Sequence, residues 1–196
     1  LDFGVAKQLY EYEILHSLIK SSEFLHFSAY EFRGDNPINL ATRHAVSIAR
    51  KAGTKISFDL GDSLVVKSSR DQIDAFLSEK IDILFANEDE AKALCEGSRD
   101  FRPLLRYTDL AVIKLGSEGA VAVTPDGEIR VSAYKVEDVK DTNGAGDNFQ
   151  AGFFYGQSKK LNLETCLKIG HFLAANIIRR IGAQSQVKIS GIEYFI

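Results

Sequence analysis

The sequence contains 196 residues and has a formal net charge of −3, with 45% hydrophobic and 26% charged residues. These values are ordinary for a globular protein with one sizeable core, and nothing in them indicates a nucleic-acid-binding or membrane-binding surface. The longest apolar runs, such as residues 81–86, are too short to cross a bilayer. The two cysteines, Cys95 and Cys166, each lie alone in a helical pattern, so we expect reduced thiols in a cytoplasmic protein.

The start of the sequence is unusual, because it begins with Leu1 and the sequence contains no methionine. We expect the sequence to be part of a longer protein, whose true N-terminus and any targeting signal lie outside it. The alternative is that methionines were replaced by a modified residue and omitted, which would shift some spacings by one residue. Local motifs are intact under either explanation.

Hydrophobic periodicity in the first 114 residues alternates between helical and strand spacing. The predicted helices cover residues 10–20, 37–52, 70–80 and 87–96. The predicted strands cover residues 23–30, 55–60, 81–86 and 110–114. Pro37 begins the second helix and Gly53 ends it. This alternation is typical of a three-layer α/β fold, in which a doubly wound, mostly parallel sheet has helices on both faces.

The remaining sequence predicts a β-hairpin near the middle of the chain, followed by two helices. Strands over residues 119–124 and 128–134 flank the turn at 125–127. The helices run to about residue 157 and over residues 163–181, and residues 187–196 are predicted to form a short strand. No repeat or linker is visible, so we interpret residues 1–196 as one domain. In such folds ligands bind beyond the carboxyl ends of the strands.

A polar turn over residues 141–147, Asp-Thr-Asn-Gly-Ala-Gly-Asp, opens directly into an apolar helix. Gly144 and Gly146 have no Cβ, so the backbone can approach a ligand closely. The free amides and the dipole of the following helix favour a phosphate or another anion. Asp147 would repel that anion. It either caps the helix or takes a proton from an attacking hydroxyl group.

The full heptapeptide resembles the signature of the ribokinase-like carbohydrate kinases, the phosphofructokinase B family. The resemblance extends over about residues 9–186 and corresponds to the C-terminal two-thirds of such a kinase. It implies ATP-dependent phosphorylation of the hydroxymethyl group of a sugar or nucleoside. Asp147 would be the general base and contact the substrate. The backbone amides of Gly144, Ala145 and Gly146 would stabilise the transition-state charge.

A second motif, Asn87 with Glu90, follows a predicted buried strand. Acidic residues in a first helical turn stabilise the helix dipole, which is a sufficient structural reason for them. The spacing also resembles the family's N-x-x-E motif. The resemblance implies that Glu90 holds water around Mg²⁺ and that Asn87 lies near the nucleotide phosphates.

A third motif begins at Lys114 and continues through Gly116, Ser117 and Gly119. Structurally it is typical of a turn between two strands. It also resembles the family's T-x-G-x-x-G segment, which implies a loop over the nucleotide. Lys114 stands where many members have threonine, and its ammonium group could meet a phosphate as a point charge.

His171 lies in the last predicted helix, where a lone histidine is more often structural than functional. By resemblance, a polar residue at this position lies against the adenine of the nucleotide. The other three histidines, His16, His26 and His44, have no companion at metal-ligand spacing in the sequence. We interpret them as structural.

The turn at Gly182 resembles a loop that, together with Asp141 and Asn143, forms a monovalent-cation site in many relatives. Carboxylate and carbonyl oxygens suit K⁺, so the resemblance implies K⁺ at this position in addition to ATP and Mg²⁺. Family members differ in whether they need the ion.

The resemblance leaves the first strands, a small lid and most substrate contacts outside this sequence. Many relatives form homodimers through that lid, so a homodimer is a further expectation. The local sequence favours the adenosine-kinase-like branch and its bacterial sugar-kinase neighbours, without separating them. Two alternatives stay open, a nucleotide-binding module without catalysis and a doubly wound domain unrelated to kinases.

Overall fold

The computed structural model describes residues 4–34, 36–184 and 191–195. It contains a six-stranded sheet in which the strands follow one another in sequence order, β1 to β6. The strands are β1 (Phe24–Ser28), β2 (Lys55–Asp59), β3 (Ile83–Asn87), β4 (Ala111–Lys114), β5 (Ala120–Thr124) and β6 (Gly127–Val131). The pairs β1–β2 and β2–β3 are parallel, whereas β5 and β6 form the antiparallel hairpin that the sequence predicts.

Seven α-helices accompany the strands within the described residues. They are α1 (His16–Ser21), α2 (Pro37–Ala52), α3 (Ser63–Ser68), α4 (Arg70–Leu77), α5 (Glu88–Leu94), α6 (Ala145–Ser158) and α7 (Leu163–Ile177). The strand–helix alternation of the first half confirms the predicted, mostly parallel α/β sheet. The chain divides into two compact units, Leu1–Val112 and Ile113–Ile196. The assignment of residues 1–196 to one domain stays a prediction.

The first unit is built on the parallel strands β1, β2 and β3. Ser28 pairs with Asp59, so β1 and β2 end at the same level. The core of this unit is rich in aromatic rings, which pack at centroid distances of 5.1–5.8 Å in the group of Phe32, Phe58 and Phe76. Fully buried phenylalanines contribute a large part of the apolar area removed from water.

The second unit contains the hairpin and two long helices that pack closely. Small residues make this approach possible, because a Cβ on Gly152 would lie 2.8 Å from the carbonyl oxygen of Ile169. On the facing helix, a Cβ on Gly170 would lie 2.8 Å from the carbonyl oxygen of Phe149. The close contact between α6 and α7 fixes the start of α6 relative to His171, which lies in the middle of α7.

The predicted helix over residues 10–20 is shorter in the structure. A 3₁₀ turn covers Glu11–Glu13, and α1 begins only at His16 because Ile14 and Leu15 have extended backbones. The predicted strand over residues 23–30 ends at Ser28. The chain then forms a 3₁₀ helix over Ala29–Phe32, whose start Glu31 stabilises by accepting the Ser28 amide at 3.1 Å.

One helix was not predicted, and two further predictions differ from the structure. Helix α3 was not predicted, although Asp62 caps it by accepting the Leu64 amide at 2.7 Å. Helix α7 ends at Ile177 and not at residue 181, since the Ile178 carbonyl accepts the Lys140 amide at 2.8 Å. The strand predicted over 187–196 lies partly outside the described residues, and Ile192–Phe195 is a 3₁₀ helix.

Both cysteines are buried and unpaired, in agreement with the predicted reduced thiols. Burial raises the pKa of the Cys166 thiol, against a smaller opposing effect of its hydrogen bond with Gln157. In the part of the chain that the structure describes, no helix has both the length and the apolar character that a membrane crossing requires.

Candidate active site

The glycine-rich turn ends where α6 begins, and Gly144 is the residue that starts the helix. Its φ of +75° lies in the left-handed region, which residues other than glycine adopt only at a cost in free energy. A Cβ on Gly144 would lie 2.7 Å from the carbonyl oxygen of Ala183 and 2.8 Å from its Cα. The turn requires glycine at this position because the backbone at Ala183 passes directly against it.

Asp141 joins the turn to that second segment. One carboxylate oxygen accepts the Asn143 amide at 3.0 Å, and the other accepts the Gly182 amide at 2.9 Å. These backbone hydrogen bonds hold the pKa of Asp141 below its usual range, the bond from Asn143 having the largest effect. The structure thus brings together Asp141, Asn143 and Gly182, the three residues predicted to form a monovalent-cation site.

The first turn of α6 carries the predicted catalytic residues. The Ala145 amide donates to the Thr142 carbonyl at 3.2 Å, so one of the three predicted anion-binding amides is engaged within the turn. The Asn148 side chain donates to the Gly144 carbonyl at 2.8 Å and to the Ala183 carbonyl at 3.3 Å. Asp147 lies exposed in this first turn, where a carboxylate also interacts favourably with the helix dipole.

The side chain of Lys114 extends from the end of β4 toward the start of α6. Its Nζ atom lies 3.4 Å from the position that a Cβ on Gly146 would occupy. Lys114 is half-buried, and its unit charge adds to the partial positive charge at the helix start. An anion bound here would meet both charges.

A cavity of about 410 Å³ lies in the second unit and includes this positively charged end. Six residues predicted from the sequence line it, namely Lys114, Gly116, Ser117, Ala145, Gly146 and His171. Its other walls are mainly apolar and come from the segment after β6 and from α6 and α7. They comprise Ala133, Tyr134, Val136, Val139, Phe149, Ala174, Ala175 and Ile178, with Thr142 as a polar addition.

Gly119 is predicted to contact a nucleotide, but it is absent from the residues that line this cavity. Its φ is +113°, and a Cβ there would lie 1.9 Å from the carbonyl oxygen of Val131. The Gly119 carbonyl accepts the Leu115 amide at 2.8 Å, which closes the 3₁₀ turn Gly116–Glu118. Gly119 therefore shapes the loop that carries Gly116 and Ser117.

His171 is the buried polar residue of the cavity, with 7% of its surface exposed. Burial lowers the pKa of its imidazole, while a hydrogen bond to the Gly119 backbone acts weakly in the opposite direction. The Nε2 atom is buried and has no hydrogen-bond partner among the described residues. The Phe149 ring meets the imidazole at 5.1 Å in an edge-on arrangement. Burial of the imidazole thus favours its neutral form.

Asn87 and Glu90 lie in the first unit, where they form a reciprocal capping box at the start of α5. The Asn87 side chain accepts the Glu90 amide at 2.9 Å and donates to Glu90 Oε1 at 2.6 Å, and the Asn87 amide donates to Oε2 at 2.7 Å. Glu90 is 2% exposed. Both carboxylate oxygens therefore already accept hydrogen bonds, and their helix-capping function is evident.

A directly coordinated metal centre is not formed by the side chains that the structure describes. Within these residues, no group of three or more His, Cys, Asp or Glu side chains is placed to hold a metal ion. The predicted contact of Glu90 with Mg²⁺ is mediated by water and does not require such a group.

Sequence reasoning missed the apolar half of the cavity. Tyr134, Phe149 and Ile178 come from separate elements, and each carries only the ordinary signal of a hydrophobic residue. The spacing of Ala174, Ala175 and Ile178 at one end of a helix was available as a pattern, but it does not distinguish a cavity wall from a core face.

The fold is that of the ribokinase-like α/β kinases, as comparison with solved structures shows. Adenosine kinase from Sinorhizobium meliloti superposes with a TM-score of 0.87 and is 33% identical, covering 92% of this chain and 56% of that one. An E. coli ribokinase-type protein in complex with ATP and Mg²⁺ has a TM-score of 0.80 at 22% identity, covering 96% and 63% of the two chains. At 22% identity, the similarity to the E. coli protein shows only that the two chains share a fold.

The family itself follows from the sequence match. Residues 5–189 match the family described as pfkB family carbohydrate kinase, and the chain belongs to this family. Among curated relatives, 5-dehydro-2-deoxygluconokinase from Bacillus subtilis is 32% identical over 155 residues, which are 74% of this chain and 47% of that protein. The chain spans about half the length of the relatives that it matches.

Proposed function

We propose that the protein is an ATP-dependent kinase that phosphorylates a hydroxymethyl group of a sugar or nucleoside. The observation that carries the proposal is the cavity of the second unit. It combines Lys114 and the start of α6 with apolar walls and the buried His171. A nucleoside triphosphate has the same division, with anionic phosphates at one end and a flat, largely apolar base at the other.

The positively charged end of the cavity suits the phosphates. Lys114 supplies a unit charge beside Gly146, and the helix dipole adds partial charge from the same direction. Phosphoryl transfer depends mainly on positioning and on charge stabilisation, so few chemical groups are needed. The amides of Gly144, Ala145 and Gly146 are the proposed donors to the transferred phosphoryl group, and the Ala145 amide would exchange its bond to the Thr142 carbonyl for this one.

Asp147 is the proposed general base. Its carboxylate takes the proton of the acceptor hydroxyl group while that oxygen forms a bond to the γ-phosphorus and the bond to the ADP oxygen breaks. The exposed position of Asp147 in the first turn of α6 supports this role, because an exposed carboxylate is accessible to a second substrate. Contact between Asp147 and the acceptor hydroxyl is part of the same proposal.

The cation assignments rest on family resemblance and on the donor sets. Mg²⁺ would neutralise charge on the phosphates, and Glu90, with Asn87 beside it, is the proposed residue that holds its water. Asp141, Asn143 and Gly182 are the proposed K⁺ site, because one carboxylate and neighbouring carbonyl oxygens suit a hard monovalent cation. A cytoplasmic location, where ATP is abundant, and a homodimer belong to the same proposal.

The acceptor substrate has two candidates that the relatives support to similar degrees. The adenosine kinase from S. meliloti supports a nucleoside, and the B. subtilis 5-dehydro-2-deoxygluconokinase supports a sugar acid derivative. The narrower proposal is adenosine, because the match to the S. meliloti adenosine kinase covers a larger share of this chain than the match to the B. subtilis enzyme. A nucleotide-binding module without catalysis is the alternative of a different class, and the intact Asp147 argues against it.

The test is phosphoryl transfer by the full-length protein with ATP and Mg²⁺. Adenosine, other nucleosides, ribose, fructose and 5-dehydro-2-deoxygluconate are offered as acceptors, each with and without K⁺. Turnover with one acceptor well above the ATP hydrolysis rate is expected. ATP binding without transfer to any acceptor would favour the non-catalytic module, and absence of ATP binding would contradict both readings.

A further inference from the structure

Two histidines that are distant in the sequence meet in the first unit. His16 begins α1, and His44 lies on α2, which packs beside α1. Their Nε2 atoms are 3.1 Å apart, and the ring centroids are 5.1 Å apart. Because the centroid distance exceeds the nitrogen distance by about the radii of two rings, both Nε2 atoms point toward the partner ring.

We propose that His16 and His44 form a two-imidazole binding site for a late first-row divalent metal ion, with Zn²⁺ as the probe. Imidazole nitrogen is a preferred ligand of Zn²⁺, Ni²⁺ and Cu²⁺, whereas Mg²⁺ prefers oxygen. The site is separate from the proposed kinase chemistry, since neither histidine belongs to the residues assigned to nucleotide, phosphate or acceptor.

The distance between the two nitrogens fits a shared metal ion. With metal–nitrogen bonds of about 2.0–2.1 Å, two ligands are about 2.9 Å apart at an angle of 90° and about 3.3 Å apart at the tetrahedral angle. The observed 3.1 Å lies between these limits. The site thus needs no large rearrangement of either helix.

Without metal, the same distance suits one hydrogen bond between the rings. One Nε2–H donates to the lone pair of the other Nε2, which requires opposite tautomers of the two imidazoles. A metal ion replaces that single proton, and both rings then carry their proton on Nδ1. The metal-free pair therefore already holds the two rings in place for the metal-bound state.

The surroundings leave room for the rest of a coordination shell. His16 is exposed and His44 is half-buried, so solvent reaches the pair. Within the described residues, no third histidine, cysteine or carboxylate completes the group. Water molecules would occupy the remaining positions, and the site binds the metal by two protein ligands.

The affinity depends on both rings being held together by the fold. The two residues are 28 positions apart, so the unfolded chain does not present them as a pair. Metal binding therefore stabilises the folded state, and excess metal raises the melting temperature. Loss of either imidazole removes the chelate, and we expect the affinity to fall on the order of 10–100-fold.

The experiment is a calorimetric titration of the full chain with ZnCl₂ in buffer free of chelators. The variants are His16→Ala, His44→Ala, the double variant, and His26→Ala as the control. His26 is also exposed, but it pairs with Ser57 at 3.1 Å and lies outside the proposed site. We expect one Zn²⁺ per chain for the wild type and for His26→Ala. Both single variants keep one imidazole and should lose affinity by a similar factor, whereas the double variant keeps neither ligand and should no longer bind Zn²⁺.

A melting-temperature measurement gives an independent readout of the same site. At a Zn²⁺ concentration about 100 times the dissociation constant, we expect a rise of roughly 5–10 °C for the wild type, and no rise with Mg²⁺ at the same concentration. Zn²⁺ binding that survives in the double variant would overturn the proposal. So would the absence of binding in the wild type, or loss in only one of the two single variants.

Discussion

Replacement of Gly144 by alanine is expected to damage both stability and nucleotide binding, and its effect can be separated into two parts. The first part is conformational, because φ at Gly144 is +75°. An L-residue in the left-handed region costs about 1–2 kcal/mol. The second part is steric, because the new Cβ would lie 2.7 Å from the Ala183 carbonyl oxygen.

The steric part is not easily relieved. The atoms in contact are backbone atoms of Ala183, and the neighbouring Gly182 amide is bound to Asp141 at 2.9 Å. Forcing a methyl group into a packed position typically costs about 1–3 kcal/mol. The total for Gly144→Ala is therefore about 2–5 kcal/mol. The start of α6 must move as well, which displaces the proposed phosphate-binding amides.

Gly53 provides a matched control. It ends α2 with a φ of +76°, and a Cβ there meets nothing within 4 Å. Gly53→Ala therefore carries the conformational cost alone, about 1–2 kcal/mol. Urea denaturation measures the two free energies of unfolding, and calorimetry measures ATP binding. Equal losses of stability in the two variants, or unaltered ATP affinity in Gly144→Ala, would refute the steric argument.

Two other predictions concern the capping box and the buried histidine. Asn87→Ala should lower the free energy of unfolding by about 2–4 kcal/mol, because it removes a helix cap and a hydrogen-bond donor to the buried Glu90. The control is Asn162→Ala, which removes only a helix cap and should cost about 1 kcal/mol. Similar losses in the two denaturation curves would contradict this. Burial lowers the pKa of His171 in the folded state, so the unfolded chain binds the extra proton first and stability falls as the pH drops below about 6.5. His171→Gln should flatten this part of the stability profile between pH 7 and pH 5, and an unchanged profile would show that another group causes the acid sensitivity.

A helix was predicted well where residues that favour a helix start and a helix end stand at its two ends in the sequence. The bounds of helix α2 were predicted closely, because Pro37 favours a helix start and Gly53 adopts the left-handed conformation that ends it. Helix α6 begins at Ala145, inside the turn that was predicted over residues 141–147, so its start was placed about one helical turn too late. The beginning of α1 was not predicted, because the apolar spacing of residues 10–20 is helical whereas the backbone of Ile14 and Leu15 is extended.

The candidate site was only partly predictable, because proximity between distant segments is not encoded in local spacing. The motif glycines, Lys114 and His171 were identified from the sequence, and the structure places several of them around one cavity. The contact of Gly144 with Ala183 and the bond from Gly182 to Asp141 join segments about 40 residues apart. The histidine pair was interpreted as structural for the same reason, since His16 and His44 share no sequence motif.

The proposed kinase activity is tested most directly by Asp147→Asn, with Asp126→Asn as the control. Both substitutions remove one exposed carboxylate, but Asp126 lies in the hairpin turn. Turnover on the best acceptor and ATP affinity are measured for both variants. We predict that Asp147→Asn lowers turnover by about 10²–10⁴-fold with nearly unchanged ATP binding, and that Asp126→Asn matches the wild type. Near-normal turnover in Asp147→Asn would contradict the assignment of Asp147 as the base.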